Sequence, residues 1–410
     1  MAKILEDIRV LDLTQFLSGP FGTQILAGMG AEVIKIEPPG QGAAERSSPP
    51  FAGSGGVNLK KQSPDDLSLS VLKRSRNKMS VTLNLKSPEG KAMLFDMVKK
   101  ADVIMENFRP GTMEKLGLSY DVVKEHNPSI IYCSLNGFGA IEAYKSMPAF
   151  DIVIQAMCGV MSVNGDKDGP PTRTSVALSD ISAGIYSCVG ILGALLYRNR
   201  TGKGQFVEIS MMESALSFLL DEAPDFWGSQ GLPLRNGSRV SRLTPFNIFS
   251  AKDGYYVIAS GSDAHWQGIL KAMKRDDLTA DERYSTTAER SKRTYEVDDI
   301  INGWSSDLTI AEVLVALEAQ GIPCAKVKEV SEVVTDPELL KAGSVVPVSH
   351  PKAGAVNGAM VWDNPISFSD DKVRFSSAAP MLGQHNEKIY GDLLGLDASK
   401  LEELKEKGVI

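Results

Sequence analysis

Two aspartates stand at the starts of apolar helical segments, where a carboxylate has both a structural and a chemical use. Asp180 lies in the segment 177–184 and Asp151 in the segment 148–155. For Asp180, helix capping is the preferred interpretation from this segment alone, because a carboxylate there accepts backbone amides and faces the positive end of the helix dipole. The same carboxylate, beside small residues that leave room for a ligand, can also attack an activated acyl group. Asp151 alone can be a cap, a surface charge or a site residue.

A glycine pair after the first predicted strand imitates a dinucleotide-binding site. Gly19 and Gly22 stand between that strand and a helix, and Glu37 ends the next strand, where such sites carry an acid for the ribose hydroxyl. Pro20 and Phe21, however, lie where the motif needs a further glycine, and Pro20 has no amide hydrogen to offer a phosphate. Nicotinamide binding is therefore disfavoured, and a tight turn that needs glycine is the preferred interpretation.

Arginines, cysteines, histidines and serines give weaker evidence of binding or catalysis. Arg235, Arg239 and Arg242 cluster in one loop, which could hold an anionic substrate or solvate a linker. The cysteines and histidines are scattered, with no CxxC pair and no spacing typical of a metal site. The sequence Gly-x-Ser-x-Gly does not occur, which disfavours a serine hydrolase. We therefore expect neither a metal centre nor a redox dithiol.

The composition is that of an ordinary globular chain. It has 410 residues, of which 43% are hydrophobic and 23% charged, and a net charge of −7. These values exclude a disordered chain, a collagen and a disulfide scaffold, and the negative charge disfavours nucleic acid as a partner. Isolated cysteines are typical of a reducing cytoplasm, and the N-terminal sequence predicts no signal peptide. The uncharged run 181–197 is too short for a membrane span, so we expect a buried helix and no membrane partner.

Alternating strand and helix patterns organise the first half of the chain. A strand over 9–14, a helix to about residue 30 and a strand over 32–37 form a β–α–β unit. The segment 38–77 is polar and rich in glycine, serine and proline, which predicts a long loop or an insertion. Further strand–helix pairs follow it. This alternation predicts an α/β fold with a doubly wound parallel sheet.

The pattern changes beyond Pro224. Residues 225–329 predict a smaller α+β unit, and a mixed pattern that ends in an amphipathic helix returns over 330–410.

A series of motifs extends over nearly the whole chain. It consists of the run 9–40 and the segments 83–90, 101–111, 135–139, 178–184, 200–205 and 380–385. Any one of them is weak, but the ordered set resembles the class III CoA-transferases, the family of the formyl-CoA:oxalate and crotonobetainyl-CoA:carnitine CoA-transferases.

The resemblance implies a fold that cannot be derived from the spacing of residues. In this family two chains thread through each other as interlocked rings. Each chain would have a large Rossmann-like, CoA-binding domain assembled from residues 1–224 and 330–410, with the small domain 225–329 between them. We therefore expect a homodimer.

The resemblance also implies a chemical role for Asp180. In the family, the aspartate at this place attacks a donor acyl-CoA, and the reaction passes through a mixed anhydride and an aspartyl-CoA thioester before an incoming carboxylate leaves as its CoA ester. Asp151 lies where relatives carry a second acid near the reacting centre. The residues that line the CoA site in relatives correspond here to Leu83, Lys86, Asn107, Phe108, Arg109 and Lys115. The cations among them would meet the phosphates.

Departures from the family pattern bear on the substrate. Leu17 and Pro38 replace a glutamine and an arginine of the formyl-CoA enzyme, and the stretch 234–243 lacks its glycine-rich flap, so formyl-CoA with oxalate is disfavoured. The α-methylacyl-CoA racemase branch shares the aspartate but adds a histidine where this chain has Phe150. Because racemisation needs a group on each face of the α-carbon, an acyl-CoA racemase or isomerase is the less favoured alternative.

We therefore expect a cytoplasmic CoA-transferase that moves CoA between two carboxylic acids. The CoA thioester is its substrate, and it binds no permanent cofactor and no metal. The three arginines at 235, 239 and 242 favour a substrate with an extra carboxylate.

Overall fold

The computed structural model describes residues 3–221, 228–231, 233–370 and 373–410. The chain forms two compact units. The first contains Met1–Cys158, Ser175–Phe218 and Asp336–Ile410, and the second contains Gly159–Thr174 and Leu219–Thr335. The predicted boundary at Pro224 lies outside the described residues. The second unit also takes in 159–174, which the sequence pattern placed in the large domain.

The strands are β1 (Arg9–Asp12), β2 (Glu32–Glu37), β3 (Phe51–Gly53), β4 (Gly56–Asn58), β5 (Leu67–Ser68), β6 (Lys78–Thr82), β7 (Val103–Glu106), β8 (Ile131–Asn136), β9 (Gln205–Ser210), β10 (Phe246–Ala251), β11 (Gly254–Ala259), β12 (Cys324–Lys326), β13 (Val345–His350) and β14 (Gly354–Trp362). The helices are α1 (Ser18–Gly28), α2 (Leu69–Arg74), α3 (Pro88–Val98), α4 (Thr112–Leu116), α5 (Tyr120–His126), α6 (Asp151–Met157), α7 (Val160–Val163), α8 (Leu178–Thr201), α9 (Met211–Asp221), α10 (Asp263–Met273), α11 (Thr287–Ser291), α12 (Thr294–Ser305), α13 (Ile310–Glu318), α14 (Val330–Val334), α15 (Pro337–Ala342), α16 (Asn386–Leu394) and α17 (Ala398–Glu406).

A six-stranded parallel sheet is the centre of the first unit. Its order is β6-β2-β1-β7-β8-β9, and every neighbouring pair is parallel. Counted within this sheet, the order is 3-2-1-4-5-6, which is that of the Rossmann fold. Its inner strands are largely apolar and buried, because helices cover both faces of such a sheet; Val10, Ile104 and Cys133 are fully buried. The predicted α/β fold with a parallel sheet is confirmed.

Glycines allow α1 and α8 to pack unusually close together. A Cβ atom at Gly22 would lie 2.8 Å from the carbonyl oxygen of Gly184, and one at Gly184 would lie 2.7 Å from that of Ser18. Gly19 and Gly22 belong to α1, which already begins at Ser18. The predicted glycine turn is therefore wrong: Gly22 is needed where α1 packs against α8, and Gly19 is needed where α1 approaches the Thr14 side chain.

The segment 38–77 is folded, which corrects the expectation of a loop. It contains a 3₁₀ turn at Ala44–Ser47, the antiparallel sheet β4-β3-β5 and helix α2. Its apolar residues share a small core with the hairpin of β13 and β14. Ala52, Leu72, Val348 and Val361 are buried in this core. A distant part of the chain therefore supplies the surface that these very short strands need.

The second unit has its own sheet and its own core. β10, β11 and β12 form an antiparallel sheet, and the helices between β11 and β12 surround Trp266, Ile301 and Leu317, which are fully buried. This arrangement is the α+β architecture that the sequence predicts.

Helix α8 is buried on one side only. Ile191 is fully buried, whereas Ile185, Val189 and Leu196 are 45%, 60% and 64% exposed. By length and composition α8 could cross a membrane, yet half of its most apolar stretch is buried in the structure, as in many core helices of globular proteins. The expected buried helix is thus present, but with an uncovered apolar face.

Candidate active site

A cavity of about 270 Å³ lies at the carboxyl ends of β1, β7 and β8 in the first unit. The strand order reverses between β1 and β7, and open α/β sheets bind ligands in the crevice at this point. The lining comes from the segments that follow these strands and from the start of α8. It consists of Phe16, Ser18, Asn107, Phe108, Arg109, Pro110, Leu135, Asn136, Gly137, Phe138, Lys145, Met147, Pro148, Ala149, Phe150, Asp180 and Met211.

Asn107 joins the two sides of this crevice. Its side-chain Oδ1 accepts a hydrogen bond from the backbone N–H of Gln15 at 2.7 Å, and its Nδ2 donates to the Gln15 carbonyl oxygen at 2.8 Å. The loop after β1 is therefore fixed to the loop after β7, and Ser18 at the start of α1 is fixed with it. A predicted CoA contact thus has a definite structural role as well.

Asp180 is the carboxylate of the cavity. It lies in the first turn of α8, and burial raises the pKa of its carboxyl to about 6, with the negative charge of Asp151 as the next cause. The positive charge of Arg74 and a hydrogen bond with Ser18 act in the opposite direction. A carboxylate with a raised pKa is poorly solvated and correspondingly more nucleophilic once ionised.

Asp151 holds the start of α8 in place. Its Oδ1 accepts hydrogen bonds from the backbone N–H of Ser179 at 3.0 Å and from the Ser179 hydroxyl at 2.7 Å. Its Oδ2 accepts from Nε2 of Gln155 at 2.8 Å. Because Ser179 directly precedes Asp180, Asp151 fixes the peptide that carries the nucleophile candidate. The structure thus brings the two predicted acids together across 29 residues of sequence.

The segment 38–77 reaches the cavity through Phe16. Oε2 of Glu45 accepts a hydrogen bond from the Phe16 N–H at 3.0 Å, and Nη1 of Arg74 donates to the Phe16 carbonyl oxygen at 3.1 Å. Glu45 is buried and forms an ion pair with Lys35 at 3.1 Å. Sequence reasoning missed these residues, because neither their types nor their spacing relates them to position 16.

Buried ion pairs also stabilise the loop that contains Phe16. Asp12 pairs with Lys78 at 2.8 Å, and both side chains are fully buried. Lys78 also donates to the Pro20 carbonyl oxygen at 2.9 Å, and Lys35 donates to that of Thr14 at 2.8 Å. Despite its burial, which raises it, the pKa of Asp12 is lowered to about 2, since Lys78 and Lys35 stabilise the ionised form. These charges compensate one another and fix the backbone from residue 14 to residue 20.

The other predicted CoA contacts divide into two groups. Asn107, Phe108 and Arg109 line the cavity with Asp180. Leu83 is 2% exposed and belongs to the main core, and Lys86 and Lys115 are exposed residues outside the cavity lining. Contacts of this second group with CoA stay a prediction.

The arginine cluster of the second unit has partners of its own. Arg239 forms an ion pair with Asp298 at 2.6 Å and stacks on the ring of Tyr295. Arg235 donates to the carbonyl oxygen of Gly169 at 2.8 Å. These two cations therefore stabilise the second unit, which weakens the argument for a substrate carboxylate at this place.

Metal and histidine chemistry find no support among the described residues. There, no group of three His, Cys, Asp or Glu side chains lies close enough together to hold a metal ion. The described lining of the cavity includes no histidine, and it includes Phe150.

Comparison with known proteins places this chain in a family. The family described as CoA-transferase family III matches residues 5–386. The succinyl-CoA–D-citramalate CoA-transferase of Chloroflexus aurantiacus is 34% identical over 407 residues, which are 99% of this chain and 98% of that protein. The formyl-CoA:oxalate CoA-transferase of Streptomyces coelicolor is 35% identical over 425 residues, with complete coverage of both chains.

A solved structure has the same fold. A CAIB/BAIF family protein from Brucella suis superimposes with a TM-score of 0.82 at 30% sequence identity, covering 96% of this chain and 100% of that chain. The resemblance read from the motifs is therefore confirmed.

Proposed function

The chain belongs to CoA-transferase family III and is a CoA-transferase, and from this premise we propose that Asp180 is its nucleophile. One observation carries the proposal: Asp180 is the carboxylate in the described lining of the cavity where the strand order reverses, and its partial burial raises the pKa of its carboxyl to about 6. Ser18, at the start of the neighbouring helix, donates the hydrogen bond that orients it.

The proposed reaction transfers CoA through two covalent intermediates. An Asp180 oxygen attacks the thioester carbonyl carbon, the C–S bond breaks, and CoA leaves as a thiolate. The thiolate then attacks the aspartyl carbonyl carbon of the mixed anhydride, which releases the donor acid and leaves an aspartyl-CoA thioester. The acceptor carboxylate repeats these steps in reverse, and Asp180 recovers its carboxylate. One thioester replaces another, so the sequence consumes no water and no external energy source.

The protein's contribution to these steps is electrostatic and steric. The starts of α1 and α8 meet where Ser18 hydrogen-bonds to Asp180, and amide groups at a helix start stabilise developing negative charge nearby. Asp151 acts as a positioning residue, since it binds the Ser179 peptide. We assign the pantetheine end of CoA to the surface of Asn107 and Phe108 and its phosphates to Arg109, with Leu83, Lys86 and Lys115 as candidates for the nucleotide end.

We propose that at least one of the two acids is a dicarboxylic acid. The two relatives compared above are named for succinyl-CoA with D-citramalate and for formyl-CoA with oxalate. Their near-equal identity does not choose between them, but Leu17 and Pro38 depart from the formyl-CoA enzyme. Succinyl-CoA is therefore the donor to test first.

We propose that the active form is an interlocked homodimer in the cytoplasm, without a permanently bound cofactor. The uncovered face of α8 supports the dimer, because Ile185, Val189 and Leu196 expose an apolar surface that a second copy of the chain would bury. Interlocking itself comes from the family resemblance.

The test of the nucleophile is intact-mass spectrometry after incubation with succinyl-CoA and other acyl-CoA thioesters. We expect the wild type to gain the mass of CoA less one water, and hydroxylamine to remove this adduct. Asp180→Asn should gain nothing, whereas Asp96→Asn, a matched change at an exposed helical aspartate, should behave like the wild type. Exchange of the substrate α-proton with solvent, without any adduct, would instead assign the protein to the racemase branch.

A further inference from the structure

Phe16 has a backbone conformation that its residue type disfavours. Its φ of 63° lies in the left-handed region, which is unfavourable for a residue with a side chain. The other described non-glycine residues with positive φ have local reasons: Asn77 is of a type that tolerates this region, and Lys274 ends helix α10. Phe16 has no such reason, so its surroundings must impose the conformation.

Two charged side chains from the segment 38–77 impose it. Glu45 accepts from the Phe16 N–H at 3.0 Å, and Arg74 donates to the Phe16 carbonyl oxygen at 3.1 Å. Both backbone polar groups of one residue are thus held by ions, and such charge-assisted hydrogen bonds are the stronger kind. Since Glu45 is itself fixed by Lys35, this support is rigid.

The conformation places the Phe16 ring at the nucleophile's cavity. Its ring packs edge-on against that of Phe150, with centroids 6.1 Å apart and planes at 77°. Both residues line the cavity together with Asp180, and both are about half exposed, at 47% and 57%. Two large apolar rings in the lining of the cavity offer water no hydrogen-bond partners on that side.

The covalent intermediates of the proposed reaction need such a barrier. Water can attack a carbonyl carbon of the mixed anhydride; the bond to the bridging oxygen then breaks. After loss of two protons, one of which the CoA thiolate takes up, Asp180 and the donor acid are both free carboxylates. With CoA already released as a thiol, the net reaction is thioester plus water to acid plus thiol. A transferase must therefore keep water from this place.

We propose that the Phe16–Phe150 pair shields the acylated Asp180 from water, and that Glu45 and Arg74 are positioning residues that hold Phe16 in place for this purpose. The inference rests on the proposed function of Asp180. No residue of the segment 38–77 lines the described cavity. The segment nevertheless contributes to the proposed reaction, because two of its side chains bind the backbone of Phe16.

The test compares hydrolysis with transfer in one reaction mixture. Transfer conserves the thioester, whereas hydrolysis releases net free CoA, so a thiol reagent reports hydrolysis and chromatography of the acyl-CoA products reports transfer. The variant of choice is Phe16→Gly, because glycine accepts a positive φ and the fold should be as stable as the wild type or slightly more stable. Phe150→Ala removes the second ring.

We expect both variants to raise the ratio of hydrolysis to transfer by about tenfold. Phe16→Tyr, which keeps the ring, should retain the wild-type ratio. Leu59→Ala, at an apolar residue of the same segment that is 79% exposed, should also leave the ratio unchanged. A merely structural role for Phe16 would lower both rates together and leave their ratio constant.

The outcomes separate the two proposals. If Phe16→Gly forms the aspartyl-CoA adduct and its ratio equals that of the wild type, shielding is refuted while Asp180 remains the nucleophile. If the wild type itself forms neither adduct nor new acyl-CoA with any donor, the proposed role of Asp180 fails first.

Discussion

At the scale of single residues, the proposed role of Asp180 makes the ionisation of its carboxyl set the pH range of the reaction. Burial and the charge of Asp151 raise the pKa of its carboxyl to about 6, and only the ionised carboxylate can attack a thioester. We expect the rate of adduct formation to be constant above pH about 7 and to fall about tenfold per pH unit well below pH 6. Single-turnover rates measured from pH 5 to pH 8, in steps of about half a pH unit, check this prediction.

Changing the neighbouring charges should move this acidic limb in opposite directions. Asp151→Asn keeps an oxygen for Ser179 but removes the negative charge, so the pKa of Asp180 falls and the limb shifts to lower pH. Arg74→Ala removes a positive charge that lowers this pKa, so its limb shifts to higher pH. The exposed Asp96→Asn should not move it. Identical limbs in all variants would mean that another group titrates.

At the scale of elements, the close contact of α1 and α8 determines the distance between Ser18 and Asp180. A methyl group at Gly22 would meet the Gly184 carbonyl oxygen at 2.8 Å. We therefore expect Gly22→Ala to destabilise the fold by about 1–3 kcal/mol and to slow adduct formation, since the helices must move apart.

Gly303→Ala is the matched control for this prediction. It also replaces a helical glycine, but no atom lies within 4 Å of the added Cβ. The change should leave adduct formation intact and raise stability by up to about 1 kcal/mol through helix propensity. Urea unfolding of Gly22→Ala, Gly303→Ala and the wild type compares their stabilities. Equal midpoints for Gly22→Ala and the wild type would show that the helices can separate at no cost.

Elements whose signals are local could be predicted from the sequence, and those that depend on distant residues could not. Ser87 and Pro88 predict the start of α3, and the structure has it there, with the Ser87 hydroxyl accepting from the Gly90 N–H. The strands of the segment 38–77 could not be predicted from the sequence, because each has only two or three residues and depends on the hairpin over 345–362. Isolated short strands carry no periodicity to detect.

The site follows the same rule. Asp180 and Asp151 could be proposed because each has a local helix-start signal, which the family resemblance then gave a chemical meaning. The position of Phe16 in the site could not be predicted, because its conformation is imposed by Glu45 and Arg74, which are 29 and 58 residues away in sequence. Ion pairs between distant strands leave no pattern along the chain.

At the scale of the whole molecule, the uncovered face of α8 and the proposed interlocking make a joint prediction about assembly. Two chains that thread through each other cannot separate without unfolding, whereas two that only touch exchange partners freely. We expect two differently tagged preparations, mixed under native conditions for a day, to form no mixed dimers by native mass spectrometry. After joint unfolding and refolding, mixed dimers should appear in statistical proportion.

A substitution pair tests whether α8 contributes to that interface. Val189 on α8 is 60% exposed and Val330 on α14 is 76% exposed, so arginine at either position has room in a single chain. Burying an unpaired charge in an interface is costly, so Val189→Arg should reduce the yield of refolded dimer and lower its melting temperature, while Val330→Arg should do neither. Free monomers of the wild type at micromolar concentration, or mixed dimers within minutes of native mixing, would contradict interlocking. A refolded Val189→Arg dimer as stable as the wild type would leave the α8 face outside the interface, and another surface of the chain would have to provide it.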